Sequence, residues 1–125
     1  MYTYLAVALG GALGAVTRYC LSTQVERFNG SNFPLGTFTV NLIGSLLIGV
    51  LFVLFMERLS LVEQYRPLLM IGFLGAMTTF STFSLDALLL FQQGHYNTAL
   101  IYILSSVAVC LFAAYTGLLL GRALF

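Results

Sequence analysis

The sequence predicts an all-α integral membrane protein with four transmembrane helices, and three observations lead to this fold class. Hydrophobic residues make up 60% of the 125 residues. Only 7% are charged, against about 25% in a typical soluble domain. Four apolar segments each reach the length of about 20 residues that a helix needs to cross a bilayer core. The net charge of +1 gives no electrostatic case for nucleic-acid binding.

Polar stretches separate the four apolar segments, and no soluble domain is left over. Pro34 and Pro67 stand near two of the predicted helix starts, where the missing proline N–H costs nothing. Pairs such as Gly10 with Gly14 predict close helix packing, within or between chains. The apolar N-terminus lacks a basic region and is interpreted as a retained helix. All predicted helices belong to one transmembrane domain, residues 1–125, and cover residues 3–21, 33–56, 67–91 and 98–120.

The arginines leave two membrane topologies open. Four helices joined by short loops place both termini on one side of the membrane. Arg58, Arg66 and Arg122 then lie on that side, and Arg27 lies on the other with Arg18 one to two turns away. This weak bias fits cytoplasmic termini under the positive-inside rule. It equally fits a dual topology, in which copies of the chain insert in both orientations.

Three polar side chains inside the spans are costly to place in hydrocarbon. Arg18 either snorkels to the interface or concentrates anions at a pore mouth. Asn41 either hydrogen-bonds between helices or donates to a permeating anion, and Thr37 lies one turn earlier on the same face. Asp86, the only acid inside a predicted span, lies near the end of its helix and either faces the interface or relays protons.

The stretch GAMTTFSTFS, residues 75–84, places five hydroxyls in apolar surroundings. In a continuous helix these hydroxyls would bond to carbonyls four residues earlier. Gly72, Gly75 and the consecutive β-branched residues Thr78 and Thr79 instead favour a broken helix. Unwound backbone in a membrane is tolerated only where it is buried in protein or lines a cavity. Its freed carbonyls suit a hard cation, and its freed N–H groups suit an anion.

Phe80 and Phe83 lie on one helical face within this stretch. They either pack in a core or present the positive edges of their rings to a desolvated anion. Cys20 and Cys110 have no metal-ligand spacing and are interpreted as small packing residues. The sequence offers no nucleophile–base pair and no metal-ligand cluster, so we do not expect an enzyme.

Three blocks of the sequence resemble the signature blocks of the Fluc (CrcB) fluoride channel family, in the same order and spacing. The resemblance covers essentially the whole chain, and its third block is the most specific. It implies an antiparallel, dual-topology homodimer in the inner (plasma) membrane. Such dimers export fluoride passively through two pores and so protect the cell against fluoride toxicity. The blocks are GGALGAVTRY (10–19), GTFTVNLIGSLLIG (36–49) and GFLGAMTTFSTFS (72–84).

The same resemblance implies roles for individual residues. The third helix is broken near mid-membrane, and a sodium ion on the dimer axis is held by the backbone carbonyls of Gly75 and Thr78. Arg18 corresponds to an arginine in the vestibule. In the fourth helix, either Ser105 or Ser106 faces the pore, and Ser106 is the residue that matches. The residues implied to line the pores are Asn41, Phe80, Phe83, Thr37, Ser81, Thr82, Tyr102 and Ser106.

Two other functions compete with a channel. A small proton-coupled exporter of organic cations needs a carboxylate at mid-membrane, normally in the first helix. The only charged residue in the first predicted helix is Arg18. A structural membrane subunit would use its glycine faces for assembly alone and would leave liposomes tight to every small anion.

Overall fold

The computed structural model describes residues 1–58 and 60–125, and for residues 60–62 it describes the backbone alone. Four helical segments in this described part are long and apolar enough to cross a membrane: Tyr2–Phe28, Leu35–Arg58, Glu63–Gln92 and Tyr96–Leu124. We call them the first to fourth spans. The chain is therefore an all-α, multi-pass membrane protein.

The spans contain five α-helices and several turns of other helical types. Helix α1 is the first span, and α5 is the fourth. The second span is α2 followed by a π-helical segment, and the third begins with a 3₁₀ turn and a second π-helical segment. The bounds are α1 Tyr2–Phe28, α2 Leu35–Phe52, π-helix Val53–Arg58, 3₁₀ helix Ser60–Tyr65, π-helix Pro67–Leu74, α3 Gly75–Met77, α4 Phe80–Gln92 and α5 Tyr96–Leu124.

The first helix continues well beyond residue 21, the expected end. Its last turns are polar and fasten the start of the second span. The Glu26 carboxylate accepts a hydrogen bond from the Gly36 backbone N–H at 2.5 Å and another from the Asn29 amide at 3.1 Å. Since the first N–H groups of a helix have no partner within the helix, Glu26 satisfies one of those of α2.

The third span changes its packing partner partway along its length. Its π-helical segment and α3 lie against α1, whereas α4 lies against α5. Helices α2 and α5 form the most extensive helix pair in the described chain. The two halves of the third span therefore belong to different parts of the bundle, and they meet between Met77 and Phe80.

Glycines allow the closest helix crossings. A Cβ added at Gly10 would collide with the carbonyl of Leu68, and one added at Gly117 would collide with the carbonyl of Leu46. Backbones approach this closely in membrane bundles where small residues lie at the crossing. The pair of Gly10 and Gly14 noted in the sequence is thus used inside the chain, at the contact of α1 with the third span, and Gly117 lies at the contact of α2 with α5.

A cluster of buried side chains lies between α4 and α5. Phe83 and Leu90 of α4 pack with Ala99 and Tyr102 of α5, and Phe33 adds an edge-on contact to the Tyr102 ring at 5.3 Å between centroids. Most other large apolar side chains, such as those of α1, are exposed on the single chain. Exposed apolar surface of this extent is expected where the surface faces lipid or another chain and not water.

Candidate functional site

The backbone is extended where the two halves of the third span meet. Helix α3 ends at Met77, and α4 begins at Phe80. Between them, Thr78 has φ −86° and ψ 152°, and Thr79 has φ −150° and ψ 124°. Gly75 stays helical, at φ −60° and ψ −35°. The two β-branched threonines, and not the glycines, therefore adopt the non-helical conformation.

Asn41 of α2 holds this extended segment. Its Oδ1 accepts a hydrogen bond from the Thr79 N–H at 2.8 Å, and its Nδ2 donates to the Thr79 carbonyl at 3.0 Å. In a continuous helix, the Thr79 N–H would bond to the carbonyl of Gly75. The Asn41 amide thus replaces the helical hydrogen bond of the Thr79 N–H and releases the Gly75 carbonyl, and it adds a bond to the Thr79 carbonyl. One N–H of the Asn41 amide remains for another partner.

The Thr79 hydroxyl likewise replaces a backbone hydrogen-bond acceptor at the start of α4. It accepts a hydrogen bond from the Thr82 N–H at 3.1 Å, as an N-cap side chain does. A continuous helix would give that N–H to the carbonyl of Thr78. Asn41 Oδ1 and the Thr79 hydroxyl therefore accept from the two N–H groups that would bond to the carbonyls of Gly75 and Thr78 in a continuous helix. These are the two carbonyls that the sequence resemblance singles out.

Arg18 reaches the same segment from α1. Its Nε donates a hydrogen bond to the carbonyl of Ala76 at 3.0 Å, and its side chain is half-buried. The Ala76 carbonyl would accept from the Phe80 N–H in a continuous helix. A cation near the C-terminal end of a helix is favourable, because the last carbonyls carry partial negative charge. Arg18 is thus tied to the interruption and is not a free interfacial side chain.

A cavity of about 510 Å³ lies beside the interruption. Most of its polar lining comes from residues named in the sequence analysis. The Ser106 hydroxyl is the notable member, because the residue is only 6% exposed and its Oγ has no hydrogen-bond partner within the described part of the chain. The lining residues that the sequence singled out are Asn41, Gly75, Thr78, Thr79, Phe80, Phe83 and Ser106.

The two phenylalanines at this cavity differ sharply in exposure. Phe83 is 8% exposed and packs its ring against Tyr102, with 5.1 Å between centroids. Phe80 is 77% exposed and touches Phe83 at 5.4 Å between centroids. Phe83 is therefore a core residue that borders the cavity, whereas Phe80 projects from the single chain.

A second cavity, of about 450 Å³, is polar and lies at the end of the bundle near the start of α2. Thr37 and Glu26 line it, together with Asp86. The hydroxyl of the fully buried Tyr102 donates to Asp86 Oδ2 at 3.1 Å. Tyr102, a predicted pore-lining residue, lines neither cavity, but it contacts a lining residue of each: its hydroxyl bonds to Asp86, and its ring packs on Phe83.

Some residues named from the sequence lie outside both cavities. Ser81 and Thr82 line neither, although the Ser81 hydroxyl lies 3.3 Å from that of Thr79. Ser105 donates to the backbone carbonyl of Tyr102 at 3.4 Å, whereas Ser106 lines the cavity beside the interruption. Glu26, a lining residue of the polar cavity, was not predicted from the sequence, where its only signal is a charge within the loop expected between residues 21 and 33.

The sequence was compared with known proteins. Residues 5–118 match the profile of the family described as "CrcB-like protein, Camphor Resistance (CrcB)". A "Fluoride-specific ion channel FluC" of Magnetococcus marinus is 55% identical over 116 residues, which cover 93% of this chain and 94% of that protein. One of Hahella chejuensis is 53% identical over 93% of this chain and 91% of that protein.

A third relative matches from end to end. The "Fluoride-specific ion channel FluC" of Agrobacterium fabrum is 46% identical over 125 residues, which cover all of both chains. The family profile extends across the interruption, the cavity beside it and the glycine crossings described above. On this profile match and on relatives of such identity and coverage, the chain belongs to the CrcB-like family.

Proposed function

We propose that this chain is a fluoride-selective channel that lets fluoride leave the cytoplasm passively, and that it is not an enzyme. The printed names of its relatives support fluoride as the ion. One observation of the structure carries the proposal most directly. The buried Ser106 hydroxyl, without a partner among the described residues, lines the same cavity as Asn41 and the rings of Phe80 and Phe83.

This cavity suits a small anion that must lose its water. Fluoride needs hydrogen-bond donors in place of its hydration shell, and the Ser106 O–H and the remaining N–H of Asn41 are donors. The positive edges of the phenylalanine rings add favourable electrostatics without binding the ion too tightly to leave. The polar cavity that Thr37 lines supplies a hydrated approach, and Arg18 raises the local anion concentration.

We propose that the functional unit is an antiparallel, dual-topology homodimer with two pores in the inner membrane. Phe80 is 77% exposed on one chain, and the cavity beside it opens to the outside of that chain. A second copy would enclose the cavity and cover this ring. In an antiparallel pair, the interruptions of the two chains face each other near mid-membrane. A C-terminal tag would then be accessible from both sides of oriented membrane vesicles, and access from a single side would contradict dual topology.

A structural sodium ion at the dimer axis fits the residues present. Hard cations bind oxygen ligands, and the carbonyls of Gly75 and Thr78 lose their helical donors to Asn41 and to the Thr79 hydroxyl. The face of Gly75 is open, since an added Cβ would meet only the Met70 carbonyl, at 3.8 Å. These two carbonyls of each chain would hold the ion. Replacing sodium with N-methyl-D-glucamine should reduce dimer stability, and unchanged stability would argue against the site.

Fluoride efflux from liposomes that contain the purified protein tests the channel directly. A fluoride electrode should record rapid release, while chloride is retained. Absence of fluoride release from folded protein would reject the channel. Proton-driven export of a cationic dye, lost in Asp86→Asn, would instead favour an exporter. Liposomes tight to every small anion and to such a dye would favour a structural subunit.

A further inference from the structure

Cys110 lies on the cavity face of α5. It is a free, half-buried cysteine and lines the cavity together with Ser106 and Asn41. Tyr102, Ser106 and Cys110 recur every four residues, so they follow one another along one face of the helix. The structure thus places this thiol in the cavity, although the sequence alone suggests a packing residue.

The neighbouring Ser106 hydroxyl indicates independently that this part of the cavity receives a ligand. It is buried, it lines the cavity and it has no hydrogen-bond partner among the residues that the structure describes. A buried hydroxyl without a partner is costly unless a ligand or water bonds to it. Cys110 is four residues further along the helix, a rise of about 6 Å.

We propose that Cys110 is a modification site on the fluoride path, at which small thiol-reactive electrophiles stop conduction. This inference rests on the proposed channel function. The thiolate of Cys110 attacks the sulfenyl sulfur of methyl methanethiosulfonate, and a new S–S bond forms as the S–SO₂ bond breaks. The leaving group is methanesulfinate, which takes the bonding electron pair, and the thiol proton passes to the buffer. The product carries an S–CH₃ group on Cys110.

The added group changes the cavity in two ways that oppose an anion. It fills space about one helical turn from Ser106. It also replaces a weak S–H donor with a methyl group that cannot donate to fluoride. A path that has stripped the ion of water depends on each remaining donor and on its width. Modification therefore blocks the pore without altering the backbone.

The experiment treats reconstituted full-length protein with methyl methanethiosulfonate and compares fluoride efflux with that of the untreated half of the same batch. Cys20 is exposed and lines neither cavity, so the Cys20→Ser chain is the matched control with a single thiol. We expect treatment to slow efflux at least about tenfold in the original and Cys20→Ser chains. We expect the ratio of treated to untreated efflux to stay near one in Cys110→Ser. Mass spectrometry of each sample gives the labelled fraction of Cys110.

Each outcome decides a different question. Loss of efflux in proportion to the labelled fraction of Cys110 in the Cys20→Ser chain supports the inference. Full labelling of Cys110 with unchanged efflux overturns it, and so does a Cys110 that stays unlabelled while Cys20 of the original chain reacts. Efflux absent before any treatment rejects the proposed channel itself, and the inference with it. The labelled fraction is read independently of flux, so these failures are distinguishable.

Discussion

The side-chain amide of Asn41 hydrogen-bonds both backbone groups of Thr79, accepting from its N–H at 2.8 Å and donating to its carbonyl at 3.0 Å. One side chain from α2 thus binds the N-cap residue of α4, whose N–H has no helical partner in the third span. In hydrocarbon, each unsatisfied backbone group costs several kcal/mol. Asn41 is therefore a positioning residue for the interruption as well as a candidate donor to the ion.

Asn41→Asp should abolish fluoride efflux and lower stability. The carboxylate cannot donate to the Thr79 carbonyl, and losing this hydrogen bond costs about 0.5–1.5 kcal/mol. Its negative charge also repels fluoride on a path of low dielectric constant. Fluoride efflux and thermal unfolding of the dimer in detergent measure the two effects. Asn97→Asp, an exposed amide at the start of α5, is the control, and a fully conducting Asn41→Asp would remove Asn41 from the path.

Phe80→Ile and Phe83→Ile should both reduce fluoride efflux but should differ in stability. If one ring edge stabilises the dehydrated fluoride ion by about 1.4 kcal/mol, losing it should slow efflux tenfold. Phe83 packs in the core, so its change of shape should also cost about 1–3 kcal/mol within the chain. Phe80 makes little contact inside the chain and should affect it less. Phe112→Ile, at an exposed ring of α5, serves as the control, and normal efflux in both test variants would contradict the pore assignment.

Arg18→Lys should reduce efflux, although it preserves the charge. The Arg18 Nε donates to the Ala76 carbonyl at 3.0 Å, and a lysine ammonium does not reproduce the planar guanidinium geometry. A loss of about 1–3 kcal/mol in stability should accompany the lower efflux. Arg27→Lys, at an exposed position of the same helix, is the control. If Arg18→Lys matches the original protein in both measurements, Arg18 acts through its charge alone.

Gly10→Ala should destabilise the protein, whereas Gly11→Ala should not. A methyl group at Gly10 would collide with the backbone of Leu68, but nothing lies within 4 Å of the same group at Gly11. Forcing the helices apart costs about 1–3 kcal/mol, and alanine in an open helical position gains up to about 1 kcal/mol over glycine. Thermal unfolding in detergent compares the pair, and equal effects would contradict the crossing of α1 with the third span.

The sequence was sufficient for the four spans and for the glycine crossings, because length, composition and spacing determine both. It did not reveal the π-helical segments, which depend on how the helices pack. The end of α1 was also missed. Its last turns are fixed by the contact of Glu26 with Gly36, ten residues away, and residue composition does not encode that contact.

Residue identity pointed to Asn41, which is costly in hydrocarbon and needs a partner, and to Thr78 and Thr79, whose β-branched side chains favour a break in the helix. It did not tell which partner each would take. The amide of Asn41 meets Thr79 only because α2 and the third span pack side by side. Similarly, Ser105 and Ser106 are equivalent by type, and only the rotation of α5 brings Ser106 to the cavity.

The hydrogen bonds at the interruption also constrain the order of assembly. Arg18 and Asn41 come from the first two spans, so Ala76 and Thr79 have no such partners until those spans are in place. A third span that enters the membrane alone should remain a continuous helix, since its backbone groups then have only one another. We therefore expect the interruption to form only after the first two spans are in place. Chains with a damaged first or second span should insert normally, yet their third span should stay a continuous helix.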